Sequence, residues 1–210
     1  MKIIVMGAGY VGMELLKNLQ NTEHEIYITT TQSEKIEFLK NFGKQVLLLD
    51  YRDNEKLANL IEICDGMIVL VAPINSQSYE ETYLNTAKMI THYIENKTKS
   101  FYLLYTSSTS VCEGMEGITV LEDMEPSPKS SNGIILLETE QRYLNSKANA
   151  CVLRLGGIYG PERALEDRAK RFSGKEMSVP GNAWTNHIHR DDIVSAILFC
   201  LEKKLKGLYH

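Results

Sequence analysis

The chain has 210 residues, 43% hydrophobic and 24% charged, with a formal net charge of -4. That length suits a single domain with a sizeable core, and the acidic balance supplies no electrostatic pull toward nucleic acid or an anionic membrane. Four widely spaced cysteines (Cys64, Cys112, Cys151, Cys200) form no C-x-x-C pair or ligand cluster, so the reading is reduced thiols, no metal and a cytoplasmic location. No run of about 18 apolar residues is present to cross a bilayer, and no leader-type cleavage pattern follows the first apolar stretch.

Taken in chain order, a buried strand is expected at 2–6, followed at once by Gly7-Ala8-Gly9-Tyr10-Val11-Gly12 and a helical pattern at 12–20. Strand, G-x-G-x-x-G turn and helix together form the dinucleotide-binding fingerprint in its required context. The first glycine permits a tight turn, the second lets backbone approach a pyrophosphate, and the third lets helix and strand pack closely. The helix N-terminus then offers free N–H groups and a positive dipole end to the phosphates. Further strands are expected at 25–29, 45–49, 67–72, 101–106 and 150–155. Amphipathic stretches lie between or after them at 34–41, 54–63, 79–96, 134–145 and about 191–203. Strands apolar on both faces, alternating with helices, imply a doubly wound parallel α/β sheet with its ligand crevice at the strands' carboxyl ends. Segments 113–132 and 174–185 read as irregular, and Gly207-Leu208-Tyr209-His210 looks like the start of another strand. Residues 1–210 therefore read as one Rossmann-type domain.

Five blocks occur in order: GAGYVG at 7–12, YTSSTSV at 105–111, GIILLETEQRYL at 133–144, RLGGIYGPER at 154–163 and NHIHRDDIV at 186–194. Together they resemble the extended, atypical short-chain dehydrogenase/reductases of the NAD-dependent epimerase/dehydratase type, which implies that 156–210 holds part of a reduced C-terminal substrate lobe. The resemblance implies that Gly7, Gly9, Tyr10, Val11 and Gly12 hold the pyrophosphate of NAD or NADP. It places Thr30, Thr31 and Ser33 near the adenosine ribose, with Lys35 a few residues on. An acid there would select NAD and an arginine NADP. This chain has neither, which favours NADP slightly and leaves the choice open. Asp50 stands where relatives contact adenine, although an exposed loop carboxylate is an equal reading. Val71, Ala72 and Pro73 would lie against the cofactor, unless Pro73 only stops a strand. Ser107 and Ser108 end the fifth strand, with Ser107 toward the cofactor and Ser108 bonding the substrate oxygen. A Ser/Thr-rich turn that binds nothing is the alternative.

Reductases of this superfamily use a Tyr and a Lys four residues later on one helix face. The ammonium lowers the phenol's pKa, so that it exchanges a proton near neutrality. Aligned through Pro126, Pro128 and Gly133, this chain carries Asn132 and Leu136 instead. Two stray Tyr-x-x-x-Lys matches, Tyr93–Lys97 and Tyr143–Lys147, are what eleven tyrosines produce by chance. Tyr143 would also lie roughly 16 Å along the helix from the required spot. Tyr159, after the sixth strand, is a substitute proton carrier or a packing ring. Cys112 reads as a small hydrophobe, His187 and His189 as capping, packing or titrating groups. The expected function is an oxidoreductase or epimerase-like enzyme acting on a small hydroxy or carbonyl metabolite. Its rivals are a dinucleotide-binding sensor or regulator without turnover, and a structural protein with a vestigial turn. Relatives often dimerise through two amphipathic helices, so a homodimer is a further expectation.

Overall fold

The computed structural model describes residues 1–49, 54–74, 77–115, 117–175 and 184–210. Its strands are β1 (Lys2–Met6), β2 (Glu25–Thr30), β3 (Gln45–Leu48), β4 (Gly66–Val69), β5 (Tyr102–Ser108), β6 (Asn149–Leu155), β7 (Gly157–Tyr159), β8 (His187–His189) and β9 (Gly207–Tyr209). The helices are α1 (Tyr10–Leu19), α2 (Ile36–Leu39), α3 (Asn54–Ile63), α4 (Thr86–Glu95), α5 (Ser131–Leu144), α6 (Leu165–Phe172) and α7 (Arg190–Lys203). A seven-stranded sheet runs in the order β3-β2-β1-β4-β5-β6-β9, every neighbour parallel. The expected doubly wound parallel α/β fold is what the chain adopts.

Side-chain alternation along the strands builds two cores, one on each face. Ile3 and Val5 of β1 pack with Leu15, Leu16 and Leu19 of α1 and with Ile193 and Ile197 of α7. Ile4 and Met6 point the other way, into a cluster with Leu57, Leu60 and Ile61 of α3, Ile90 and Ile94 of α4, and Tyr143 of α5. The Tyr102 hydroxyl, donating to the Cys200 carbonyl at 2.9 Å, ties α7 to the sheet. β1 has β2 on one side and β4 on the other, so the chain reverses its direction of travel at the β1/β4 boundary. That reversal opens a crevice at the carboxyl ends of these strands.

Several boundaries differ from expectation for local reasons. Helix α1 starts at Tyr10, two residues early, because Gly9 takes the N-cap position and its carbonyl accepts from Met13 N at 2.8 Å. Strand β4 stops at Val69 and not at 72, since the chain leaves the sheet to wall the crevice. The stretch expected as helix 34–41 shrinks to a 3₁₀ turn, Ser33–Lys35, and the four-residue α2. The first part of 79–96 is a π-helical turn, Glu80–Asn85. Helix α6 and the parallel pair β7–β8 were not anticipated; three-residue strands carry too little periodicity to read. The outward surface between α4 and α5 presents exposed His92, Glu95, Glu138 and Gln141, a polar face.

Candidate dinucleotide cleft and active site

A cleft of about 400 Å³ opens at the carboxyl ends of β1, β2 and β4. The glycine turn, residues 29–32, residues 70–74 and the π turn before α4 wall it. Its three glycines have separable roles. Gly7 has φ 107, and a Cβ there would stand 2.6 Å from the Leu70 carbonyl oxygen. A Cβ on Gly12 would collide with the Gly7 carbonyl oxygen. Both are therefore required by the fold. Gly9 differs: its φ of -90 suits any residue, and nothing lies within 4 Å of the position its Cβ would take. The empty volume lies before the first turn of α1, whose N-cap makes no side-chain hydrogen bond and whose first turn holds no acid. Unsatisfied N–H donors beside such a space fit a diphosphate.

The other expected residues fall in different places. Tyr10, Thr30, Thr31, Val71, Ala72 and Pro73 line the cleft with Gly7 and Gly9. The Thr30 hydroxyl is already engaged, accepting from Gln32 N at 3.1 Å, whereas Thr31 is exposed and Lys35 lines the same wall. Ser33 is exposed and lies outside the lining; Val11 packs against the core beneath. Asp50 falls outside the described residues.

Ser107 is buried and donates to Glu140 Oε1 at 2.6 Å. Glu140 in turn pairs with Arg154 at 2.8 Å, both side chains almost wholly buried. The Ser107 hydroxyl thus belongs to a buried network between β5, β6 and α5. Ser108 is half-buried on the opposite face of β5, outside the cleft lining. Its oxygen accepts from Ser110 N at 3.2 Å and from Ser110 Oγ at 2.9 Å, which leaves its own proton for another acceptor. Tyr159 packs 5.1 Å from the His189 ring and 6.4 Å from the His187 ring, centroid to centroid. His189 caps α7, its Nδ1 accepting from Asp191 N at 3.2 Å.

Asn132 is exposed in the first turn of α5, and Leu136 is buried one turn on. Tyr143 is fully buried among apolar side chains, which pushes its phenol far above the usual range. Lys97, the potential partner of Tyr93, donates instead to the Glu62 carbonyl at 2.8 Å. Burial raises the Cys112 thiol, while the nearby Arg154 pulls the other way. Glu113 accepts from Ser130 N at 3.0 Å, and bonds from Ser130 hold its carboxyl below the usual range. Among the cleft residues that escaped the sequence reading are Thr82 and Arg163. The Thr82 hydroxyl is buried without a hydrogen-bond partner among the described residues. Nothing in the linear pattern marked it; Arg163 lay in plain view at the end of the RLGGIYGPER block.

Residues 3–209 match the NAD dependent epimerase/dehydratase family. The chain belongs to that family. A nicotinamide dinucleotide is the family's cofactor, and the cleft has the shape and donors to hold one. Methionine adenosyltransferase 2 subunit beta of Xenopus tropicalis is 29% identical over 123 residues, covering 52% of this chain and 36% of that protein. The match thus spans little more than a third of the curated relative's length. Among solved structures, a double mutant of DesIV, a dTDP-glucose 4,6-dehydratase from Streptomyces venezuelae with NAD bound, superposes with a TM-score of 0.81 at 15% identity. That alignment covers 100% of this chain and 75% of that one. MoeE5 in complex with UDP-glucuronic acid and NAD superposes at 0.78 with 19% identity, covering 99% and 74%. At such identities these structures share the fold. Within it, no helix among the described residues is long and apolar enough to cross a membrane.

Proposed function

We propose that the chain is an NAD(P)-dependent oxidoreductase or epimerase-like enzyme acting on a small hydroxy or carbonyl metabolite. The observation that carries this reading is the open space at Gly9 beside unsatisfied N–H donors, in a turn whose other two glycines the fold demands. When bound, the dinucleotide supplies hydride transfer. The protein's share is to fix it: Gly7, Gly9 and Tyr10 beside the diphosphate, Thr31 and Lys35 toward the adenosine ribose, residues 71–73 along its length. Ser108, with a free hydroxyl proton at the end of β5, orients the substrate oxygen. Structural neighbours with bound UDP-glucuronic acid or UDP-glucose make sugar nucleotides the first hydroxy substrates to try.

A second reading, a dinucleotide-binding sensor without turnover, draws on Asn132 and Leu136. A carboxamide does not titrate, and leucine cannot lower a neighbour's pKa. One experiment separates the two. Protein purified without added cofactor is denatured, and released dinucleotide is measured by mass spectrometry. Nicotinamide absorbance is then followed while a panel of hydroxy and carbonyl metabolites is added. Binding with turnover supports the first reading, binding without turnover the second. Absence of any dinucleotide affinity refutes both.

A further inference from the structure

We propose that Arg163 is a phosphate-binding residue of the dinucleotide cleft, held over the glycine turn by Tyr10. The proposal rests on the dinucleotide reading above and adds a residue outside the fingerprint that supports it.

Arg163 closes a tight turn after β7, in which Gly160 N donates to Arg163 O at 3.3 Å and Arg163 N donates to Gly160 O at 2.9 Å. The turn is conformationally costly, with φ 143 at Gly160 and φ 66 at Glu162. Tyr10, the first residue of α1, fixes it in place. The phenol donates to the Pro161 carbonyl at 2.6 Å, and a Cβ on Gly160 would stand 2.9 Å from the same hydroxyl. The Arg163 guanidinium then lies 4.2 Å from the centroid of the Tyr10 ring, a stacking distance. A second guanidinium, that of Arg190, is 5.2 Å from that centroid. Two guanidinium groups thus converge on one ring at a helix N-terminus.

Their situations differ. Arg190 is paired with Glu14 at 3.2 Å and with Asp191 at 3.0 Å. Arg163 is exposed, lines the cleft and has no carboxylate partner among the described residues. The facing π turn borders the same space through Thr82, whose hydroxyl oxygen is itself buried and finds no partner among the described residues. A diphosphate placed in the space before Gly9 meets the N–H donors of α1 and lies under the planar fork of Arg163. Arginine is suited to two phosphoryl oxygens at once, which a point charge is not.

The test compares NAD⁺, ADP and adenosine as calorimetric probes against the wild type, Arg163→Ala, Arg163→Lys and Tyr10→Phe. Arg163 is exposed, so melting temperatures should stay close to wild type. The expected result is at least a tenfold loss of NAD⁺ and ADP affinity in Arg163→Ala, with adenosine affinity unchanged and a shallower salt dependence for ADP. Arg163→Lys should recover part of the loss. Tyr10→Phe keeps the ring but frees the Pro161 carbonyl, and should fall between wild type and Arg163→Ala. Unchanged NAD⁺ affinity in Arg163→Ala overturns this proposal and leaves the dinucleotide reading intact. An equal loss for adenosine overturns it too, because adenosine carries no phosphate. Failure of the wild type to bind NAD⁺ or ADP overturns both.

Discussion

Gly9→Val should abolish dinucleotide binding while leaving the fold unharmed. The structure makes these two consequences separable at this one glycine. Backbone angles of -90 and -153 place Gly9 in extended space that valine adopts without strain, and no atom lies within 4 Å of the new Cβ. Folding stability should therefore fall by only about 1 kcal/mol, the difference between glycine and an apolar residue at an N-cap. Binding is another matter, because the valine methyls fill the space a diphosphate must enter to reach the N–H groups of α1. A loss of at least about a hundredfold in affinity, roughly 2.7 kcal/mol, follows if the phosphates lie there. Gly12→Ala supplies the contrast. Its Cβ meets the Gly7 carbonyl oxygen, so the variant should lose about 1–3 kcal/mol of stability whether or not any ligand is present. Calorimetric titration with NAD⁺ and a thermal melt on both variants read the two effects. NAD⁺ affinity within twofold of wild type in Gly9→Val would refute the reasoning, as would a lost affinity that merely tracks a lost fold.

Side-by-side titrations should show NAD and NADP within about tenfold of each other, since Thr31 is neutral; Lys35→Glu should weaken NADP at least tenfold more than NAD, and equal losses would exclude Lys35 from the ribose site. Arg154→Met strands the Glu140 carboxylate in the core and should cost about 3–5 kcal/mol in urea unfolding; a change under about 1 kcal/mol would show that water reaches the pair. Tyr143→Phe removes a buried hydroxyl that has no partner among the described residues, so stability should hold or rise by about 1 kcal/mol with turnover unchanged. Loss of turnover with intact cofactor binding would instead give that phenol a chemical role. Ser108→Ala should lower kcat with little effect on NAD⁺ affinity, and a parallel fall in cofactor affinity would move Ser108 from the substrate to the dinucleotide.

Most of the sheet was readable because the apolar runs of β1, β2, β5 and β6 are long enough to show burial on both faces, and the turn at Gly7 states its own geometry. What escaped depends on contacts distant in sequence. Whether a serine at a strand end meets ligand or core is decided here by Glu140, 33 residues beyond Ser107. Strand parity held the clue. Ser107 shares a face with Leu103 and Tyr105, both in the cluster beneath α3, α4 and α5, whereas Ser108 lies on the alternate face. Arg154 has the same parity as Ala150 and Val152, again toward that cluster. The two polar residues that point into the α5 side were thus identifiable as partners of something on α5, and Glu140 is the acid there that is buried. Thr82 had no such clue, because the π turn that rotates it toward the cleft is one residue out of step with the helical period used to place it.

The chemistry at the mouth of the cleft follows from a choice made on α5. At position 136 the chain buries a leucine, which contributes about 1.5–3 kcal/mol through apolar burial. A lysine at that site would have to bring an ammonium out of water, and would return the expense only as a depressed pKa on a phenol at position 132. Asn132 offers no such phenol, so the two replacements are consistent with each other: without the acid, its electrostatic support has no function. Any proton transfer in this chain must then use a group that titrates without a neighbouring ammonium, or water. Tyr159, with its ring beside those of His187 and His189, lies outside the cleft lining. The Ser108 hydroxyl can orient an oxygen but cannot by itself accept a proton near neutrality. The binding apparatus is therefore more complete than the catalytic one, and slow turnover is the consequence to expect. General acid/base assistance is worth about 10² to 10⁴ in rate, and that factor is what Asn132 and Leu136 remove.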